Sequence, residues 1–479
     1  MGYFNYIITI GVVEMKYVGD KAQDINIAYI GGGSRGWAWG LMSDLADEAN
    51  LSGNVRLYDL NFEAAYNNEV IGNSLLDRDD VKGKWKYKAV KTIQEALEGA
   101  DFVVVSILPG SFKLMESDVH TPEKYGIYQA VGDTVGPGGL VRALRTIPIY
   151  VDIAENIKKY CPKAWVINYT NPMTLCTRTL YEVFPDIRAF GCCHEVFSTQ
   201  MLLSDVLSEL KGIKDVPREE IKVNVMGINH FTWLDRASYR GTDLFPLYRE
   251  FIEKHFEEGY YDSRQKIRDP EHALYFGCSN RVKFDLFRRY GLIAAAGDRH
   301  LAEFMPPWYL KDPETVKSWK FGLTPVTYRL KQLEQRLDKS RKLVSGEEKV
   351  ELNKTGEEGV HQIKALLGLG DLVTNVNLPN KGQLEGFPTG AVVETNALFS
   401  GNGIQPVLAG KMPNDVQNLV MRHVLNQETI LKAALNKDKK LAFKAFVNDP
   451  LVNIHVDDAQ KLFDEMLYNT KEFLPGWGL

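Results

Sequence analysis

No stretch of this chain is apolar for the ~18 consecutive residues that a membrane-spanning helix needs, so a membrane role is not expected. Cysteine is scarce: 5 in 479 residues, an odd number, which excludes a disulfide framework and points to reduced thiols in a cytoplasmic protein. Positive charge is not in excess either. The formal net charge of −5 leaves no concentrated basic face for nucleic acid or a membrane surface. Internal repeats and low-complexity tracts are absent. The opening "MGYFNYIITIGVVEM" has a short apolar segment at residues 6–13 but no basic n-region and no A-x-A-like exit. It is therefore read as an extra strand or an upstream extension before Met15, not as a signal peptide.

What is present is the composition of a soluble globular protein, 44% hydrophobic and 25% charged, in a chain long enough for two domains with sizeable cores. The first ~200 residues alternate short apolar runs (residues 25–30, 55–58, 102–107, 164–168 and Arg188–Gly191) with amphipathic stretches such as 62–76 and 140–160. Continuous apolar strands alternating with helices predict a parallel sheet covered on both faces, an α/β fold. Beyond that point longer helical patterns dominate, including 315–343 and 412–435. Two strand-like pieces, 372–377 and 391–396, read as antiparallel or mixed. The charge-rich run 339–359 reads as a solvated surface segment. The expected organisation is an N-terminal extension (1–24), a dinucleotide-binding domain (25–200) and a catalytic α+β domain (201–479).

The stretch "INIAYIGGGSRGWAWG" carries the first functional signal. Gly31, Gly33 and Gly36, with Ser34 between the last two, fit G-x-G-x-x-G directly after a strand. In that fingerprint the first glycine makes the tight turn and the second lets backbone approach a pyrophosphate. The third lets helix and strand pack closely, and the phosphates rest on a helix N-terminus. "VRLYDL" then places Asp59 at the end of the second strand, 23 residues after Gly36. That matches the ~20-residue spacing of the carboxylate that bonds ribose hydroxyls. An acidic residue there favours NAD over NADP, whose extra phosphate it repels.

Three later pieces could carry chemistry: "AFGCCHE", "VMGINHFTWL" and "GLIAAAGDRHLAEF". A thiolate and an imidazole from different strand ends can share a divalent metal, leaving positions open for a substrate that chelates through vicinal hydroxyls. A carboxylate after an apolar run is partly desolvated, with a raised pKa suited to proton transfer. Each also has a plain structural reading. Cys192 and Cys193 fit as small buried residues, His230 as a core histidine, and Asp298 as a turn or N-cap residue before a helix starting near Leu301.

Together, "AYIGGGS", "LYDL", "VGDTVGPGGLVRALRTIP", "INYTNPM", "FGCCHE", "GINHFTWL", "AAAGDRHLAEF" and "VVETNA" resemble glycoside hydrolase family 4, from about Ile25 to the C-terminus. The resemblance implies a fold like that of lactate and malate dehydrogenases, a Rossmann domain followed by a mixed α/β catalytic domain. It implies an NAD- and manganese-dependent glycosidase, an exception to the two-carboxylate scheme. The family oxidises C3 of the sugar, removes the C2 proton, expels the aglycone from C1, adds water and re-reduces C3, so the cofactor turns over without net oxidation. Carried across, Cys193 and His230 match the metal ligands, and Asn171 matches an asparagine that bonds the sugar near C2 and C3. His194 stands where an acid-type residue follows the ligand cysteine. Asp298 matches the proton-transfer residue of the α-glycosidase branch, a role some members give to a tyrosine. A thiolate with an imidazole would by itself suggest zinc. The family's manganese instead suits the harder hydroxyl ligands of a sugar.

Phospho-sugar members of the family usually carry Asp or Asn after the ligand cysteine. His194, with "GCCHE" and "GDRHLAEF", looks most like the α-galacturonidases, which release galacturonic acid from pectin-derived oligosaccharides. A uronate carboxylate needs a paired partner, and the candidates are Arg299, beside Asp298, and Arg142 and Arg145, after "GPGG". Alternatively these arginines pair with Asp133, Glu303 or the cofactor phosphates. α-Glucosidase, α-galactosidase and α-glucuronidase are the alternatives within the family. A malate-type 2-hydroxyacid dehydrogenase and a redox-sensing NAD-binding regulator are the alternatives outside it. A homo-oligomer acting on a small-molecule sugar, with no nucleic-acid or membrane partner, completes the expectation.

Overall fold

The computed structural model describes residues 15–261, 270–353 and 355–479. The apolar segment at 6–13 lies outside the described residues. Lys16–Val18 (β1) forms an antiparallel ribbon with the start of Lys21–Ile30 (β2). β2 then joins Leu51–Tyr58 (β3), Trp85–Val90 (β4), Phe102–Val105 (β5), Trp165–Asn168 (β6) and Arg188–Gly191 (β7). These six strands are parallel and lie in the order β4-β3-β2-β5-β6-β7. That is the doubly wound order of a dinucleotide-binding sheet, with its switch point between β2 and β5. The apolar runs explain it: β5 is "FVVV", every residue buried, as a strand covered on both faces requires.

A second, smaller sheet is built around Phe231–Tyr239 (β9). It pairs antiparallel with Ile221–Ile228 (β8), Thr242–Asp243 (β10) and Ile293–Ala294 (β11). Leu372–Pro379 (β12) and Val392–Ser400 (β14) are antiparallel to each other, as expected. They do not stay in the second half, however. β12 pairs antiparallel with β7, and Gly403–Pro406 (β15) follows β14, so three late strands extend the first sheet. Leu384–Glu385 (β13) and Gly410–Lys411 (β16) make a short separate pair.

The cores follow this interlocking. One apolar cluster beneath the first sheet joins Tyr29, Leu57 and Phe190 to Ile363, Val376 and Phe399 from the late strands and their helix. Another wraps the helix Gly136–Tyr160 and β9 with the C-terminal helices, through Leu144, Trp233, Phe446 and Phe463. The single long helix expected at 315–343 is two: Pro313–Ser318 and Val326–Ser345. Pro325 is the cause, because a proline cannot donate to the preceding turn and so starts a helix rather than continuing one.

Candidate active site

The chain leaves β2 through Gly31, whose φ of 93° a side chain would strain and whose Cβ would lie 2.0 Å from the Ser106 carbonyl oxygen. The N–H groups of Gly31 and Gly32 both donate to the Tyr58 carbonyl at 2.9 Å. That of Gly33 donates to Oδ2 of Asp59, also at 2.9 Å. Asp59 thus closes the turn. Asn68 braces it from the next helix, donating to the carbonyls of Gly32 at 2.7 Å and Ser34 at 3.0 Å, with Trp39 Nε1 donating to its Oδ1. Asn68 carried no sequence signal, since one polar residue in an amphipathic helix is unremarkable. The role expected of Gly36 needs correction. A Cβ there would meet only the Arg336 guanidinium, 3.2 Å away, so Gly36 is the N-cap of the helix Trp37–Asp47 and not a helix–strand contact.

Past the turn lies a cavity of about 540 Å³. The ends of β6 and β7 deliver Asn171, Cys193 and His194 to it, the turn between β8 and β9 delivers His230, and the segment after β11 delivers Arg299 and His300. Asp133 enters from the loop before the Gly136–Tyr160 helix. Among the described residues, Asp133, His230 and His300 bring one donor atom each within 4.8 Å of one another. His230 holds a left-handed φ of 65°, a conformation that costs a non-glycine residue energy and is kept where a side chain must be aimed. Its Nδ1 lies 3.0 Å from Thr134 Oγ1.

The electrostatics of the cluster are those of a cation site. Burial, reinforced by His300, pushes the His230 imidazole down to about 3. Burial likewise lowers His300, against the pull of Glu195 and Asp133. Burial opposes ionisation of Asp133, but Arg142, His300 and His230 outweigh it and hold its carboxyl well below the usual range. Two neutral imidazoles and one carboxylate are the protonation states a divalent ion requires.

The remaining expected residues sort by position. Asn171 donates from Nδ2 to Asp133 at 3.3 Å, and its buried Oδ1 has no partner. Cys193 lines the same cavity outside the three-donor cluster. Burial, with Glu394 and Glu195 nearby, raises its thiol well above the ordinary value. Cys192 packs in the apolar cluster under the sheet. Glu195 accepts from the Gly297 N–H at 2.8 Å; burial opposes its ionisation, yet His300, His194 and His230 hold it at about 2. Glu394 accepts from Asn375 at 2.7 Å and Asn229 at 3.3 Å, and Asn375 also donates to the Cys193 carbonyl.

His194 sits at the cavity mouth, half-exposed, with Nδ1 2.7 Å from Glu357. Asp298 is fully buried just behind the wall formed by Cys278, Asn280, Lys283 and Gly297. It is the first residue of its helix rather than the N-cap, which is Gly297. Its Oδ1 accepts from the Lys283 N–H at 3.0 Å, its Oδ2 has no partner, and burial raises it to about 6.

The arginines separate cleanly. Arg299 lines the cavity, donating to the carbonyls of Gly322 and Ala130 and to Thr324. Arg142 donates to the Asn171 carbonyl and serves Asp133. Arg145 must be removed from the candidate list. It forms a two-pronged pair with Asp118, both side chains at most 2% exposed, and it does not line the cavity, so a substrate there does not reach it.

The sequence reading missed Asp133 and His300 as metal donors, although both stand in quoted motifs, "VGDTVGPGG" and "GDRHLAEF". A polar residue at the end of an apolar run was the available signal.

Residues 26–209 match the model of the family 4 glycosyl hydrolases, and residues 225–452 match that of the family 4 glycosyl hydrolase C-terminal domain. The chain is 66% identical over 465 residues to an alpha-galacturonidase of Thermoanaerobacterium saccharolyticum, covering 97% of this chain and 99% of that protein. Among solved structures it is similar to lplD from Bacillus subtilis, described as a glucosidase. That match has a TM-score of 0.88 at 53% identity and covers 93% of this chain and 100% of that one. A 6-phospho-alpha-glucosidase from gut microorganisms, solved in complex with NAD and Mn2+, shares the fold at 20% identity, with a TM-score of 0.78. It covers 94% of this chain and 99% of that chain.

Proposed function

The chain belongs to the family 4 glycosyl hydrolases, and from that premise we propose that it is an NAD- and manganese-dependent α-galacturonidase. The observation that carries this reading is the 66% identity to an alpha-galacturonidase over 97% of the chain. The geometry supplies the chemistry to go with it. Residues 25–200 present the dinucleotide crevice together with Asp133, Asn171, Cys193 and His194, and residues 201–479 add His230, Asp298 and His300. The Asp59 carboxylate, with one oxygen on Gly33 and the other on Asn61, keeps acceptor capacity for two ribose hydroxyls. Exposed Leu60 and Leu108, just past β3 and β5, offer an apolar lip for a purine.

His230, Asp133 and His300 would hold the divalent ion, with the Cys193 thiolate as a further ligand from the same cavity wall. When bound, NAD supplies hydride exchange at C3 and the ion supplies Lewis acidity at the sugar's O2 and O3. The chain's own groups do the rest. Asn171 offers its free Oδ1 to a sugar hydroxyl beside the cluster. Once C3 is a ketone the C2 proton is acidic. The base assigned to it is Asp298, which has a raised pKa and an unpartnered oxygen and lies directly behind the cavity wall rather than in it. His194 at the mouth protonates the departing aglycone oxygen, and later activates the water that replaces it. Glu195 and Glu394 hold their shells of N–H donors and keep the neighbouring ligands oriented.

The substrate is an α-galacturonide derived from pectin. Five free thiols, three of them (Cys192, Cys193 and Cys278) lining the cavity, suit a reducing cytoplasm. Among the described residues no helix is long and apolar enough to cross a membrane. A panel of nitrophenyl α-glycosides and uronides, assayed with NAD+, Mn2+ and a reductant, tests the proposal. Hydrolysis of the galacturonide well above the galactoside and glucoside, abolished by chelator, is expected. Equal hydrolysis of galactoside overturns the substrate, and full activity in chelator without NAD+ overturns the chemistry.

A further inference from the structure

The cavity holds more cationic capacity than its cluster uses. Arg329, at the start of the helix Val326–Ser345, lines the cavity beside Arg299, and both guanidiniums lie against one ring. The Arg299 guanidinium carbon is 4.6 Å from the centroid of Phe276, and that of Arg329 is 5.6 Å from it. The two charges are near enough to repel each other. Among the described residues, neither has a carboxylate within ion-pair distance. No side-chain donor of Arg329 has a partner there, and its Nε is buried without one. Arg299 spends Nε and Nη2 on Gly322, Ala130 and Thr324, and keeps Nη1.

Two like charges gathered on an aromatic face, in a cavity that dulls solvent screening, cost energy unless an anion joins them. Asp133, Glu195 and Glu303 are the acids that act on the two arginines, but each has partners of its own. Asp133 has the histidine cluster and Asn171, Glu195 the Gly297 N–H, and Glu303 the N–H groups of Val131 and Gly132. The cofactor's pyrophosphate is not the missing anion. It belongs on the glycine turn, whereas these arginines share their cavity with His230 and His300.

We propose that Arg329, with the free edge of Arg299, receives the C6 carboxylate of the sugar bound in this cavity and so sets the preference for uronides. The inference rests on the α-galacturonidase reading above. A carboxylate accepts along four lone-pair directions in a plane, which a pair of planar guanidiniums can fill where lysines could not. Phe276 fixes the planes of both by cation–π contact and keeps water from the back of the site. Arg329 was invisible in the sequence because it stands in an ordinary amphipathic helix, well beyond the last residue of the "AAAGDRHLAEF" motif, Phe304. Only the break at Pro325 turns that helix so that its first turn meets the cavity.

The test is steady-state kinetics of the holoenzyme, with NAD+ and Mn2+ saturating. Wild type, Arg329→Gln and Arg329→Lys are assayed on nitrophenyl α-galacturonide and α-galactoside, with free galacturonate and galactose as competing inhibitors. Arg329→Gln should lower kcat/KM for the galacturonide by roughly 10²-fold, mainly through KM, because a desolvated charge loses its partner. Its galactoside kinetics should change at least about tenfold less, because a neutral hydroxymethyl at C6 has no charge to leave unpaired. Inhibition by galacturonate should weaken in parallel while that by galactose stays. Arg329→Lys, retaining charge but not the fork, should fall between. Equal losses on both substrates, or an undiminished uronide preference in Arg329→Gln, overturn the assignment. A wild type with no preference for the galacturonide overturns instead the reading on which it rests.

Discussion

His230 and His300 stack in the cavity with ring centroids 3.9 Å apart and planes inclined by 30°. Two imidazoles so placed cannot both carry a proton without repelling each other, and burial keeps both neutral. The stack is thus a pair of lone-pair donors facing the Asp133 carboxylate, and its arrangement has measurable consequences.

The first concerns the ion. His230→Ala and His300→Ala should each weaken Mn2+ binding by more than the ~10–100-fold that changes in outer-shell partners cost. Calorimetric titration with Mn2+ alone measures this without turnover. Cys193→Ser should also weaken binding if the thiol joins the set. Unchanged affinity in His300→Ala would return the site to a Cys193–His230 pair.

Asp59 governs the nucleotide. Replacing it by Ala removes a charge-assisted acceptor for the ribose, worth about tenfold to a hundredfold in affinity, and opens the turn at Gly33. Fluorescence titration should show NAD weakened and NADP affected less, narrowing the discrimination between them. NAD affinity unchanged in this variant would place the ribose elsewhere.

The pH profile should report Asp298. Burial raises this carboxyl to about 6, so it is protonated and idle as a base below that value. kcat/KM should therefore rise with pH through about 6, and Asp298→Asn should remove that limb and lower the rate by ~10²–10⁴. An acid limb that survives in Asp298→Asn belongs to another group.

The removal of the C2 proton has its own signature. Turnover in D2O should leave deuterium at C2 of the released sugar, read by NMR. Product labelled in wild type but not in residual Asp298→Asn turnover ties the exchange to that residue.

Arg145 makes the opposite kind of prediction. Its pair with Asp118 is sealed from solvent, so Arg145→Met strands a buried carboxylate and should cost about 3–5 kcal/mol of stability. Urea unfolding measures that. The ratio of galacturonide to galactoside turnover should be unmoved, because the pair touches no cavity wall.

These contrasts mark what could be read in the sequence. Five of the six parallel strands were legible because fully covered strands must be continuous apolar runs, and Arg188–Gly191 agrees with its expected bounds. The sixth, Trp85–Val90 at the sheet edge, alternates buried and exposed residues and was not read as a strand. Gly31 and Asp59 were legible because the turn they build tolerates few alternatives. His300 and Asp133 were harder, since each motif shows a polar residue but not the direction it faces. Arg299, Arg142 and Arg145 were alike as letters. Burial against Asp118, service to Asp133 and exposure to the cavity distinguished them only in three dimensions. The helix break at Pro325 was present in the sequence and outweighed by the length of the surrounding periodic pattern.

The late strands β12, β14 and β15 bear on how this enzyme can be taken apart. Phe399 of β14 packs edge-on against Phe190 of β7 at 5.2 Å, and Asn375 of β12 holds the backbone of Cys193. The nucleotide half is consequently not a detachable module. Cut after its own last helix, it would carry β7 as a bare, apolar edge open to pairing with other chains, and Cys193 would lose its support. Whatever rearranges the sugar-binding half strains the sheet that grips the nucleotide. Swapping one half between relatives of different substrate preference should fail unless residues 372–406 travel with the first half.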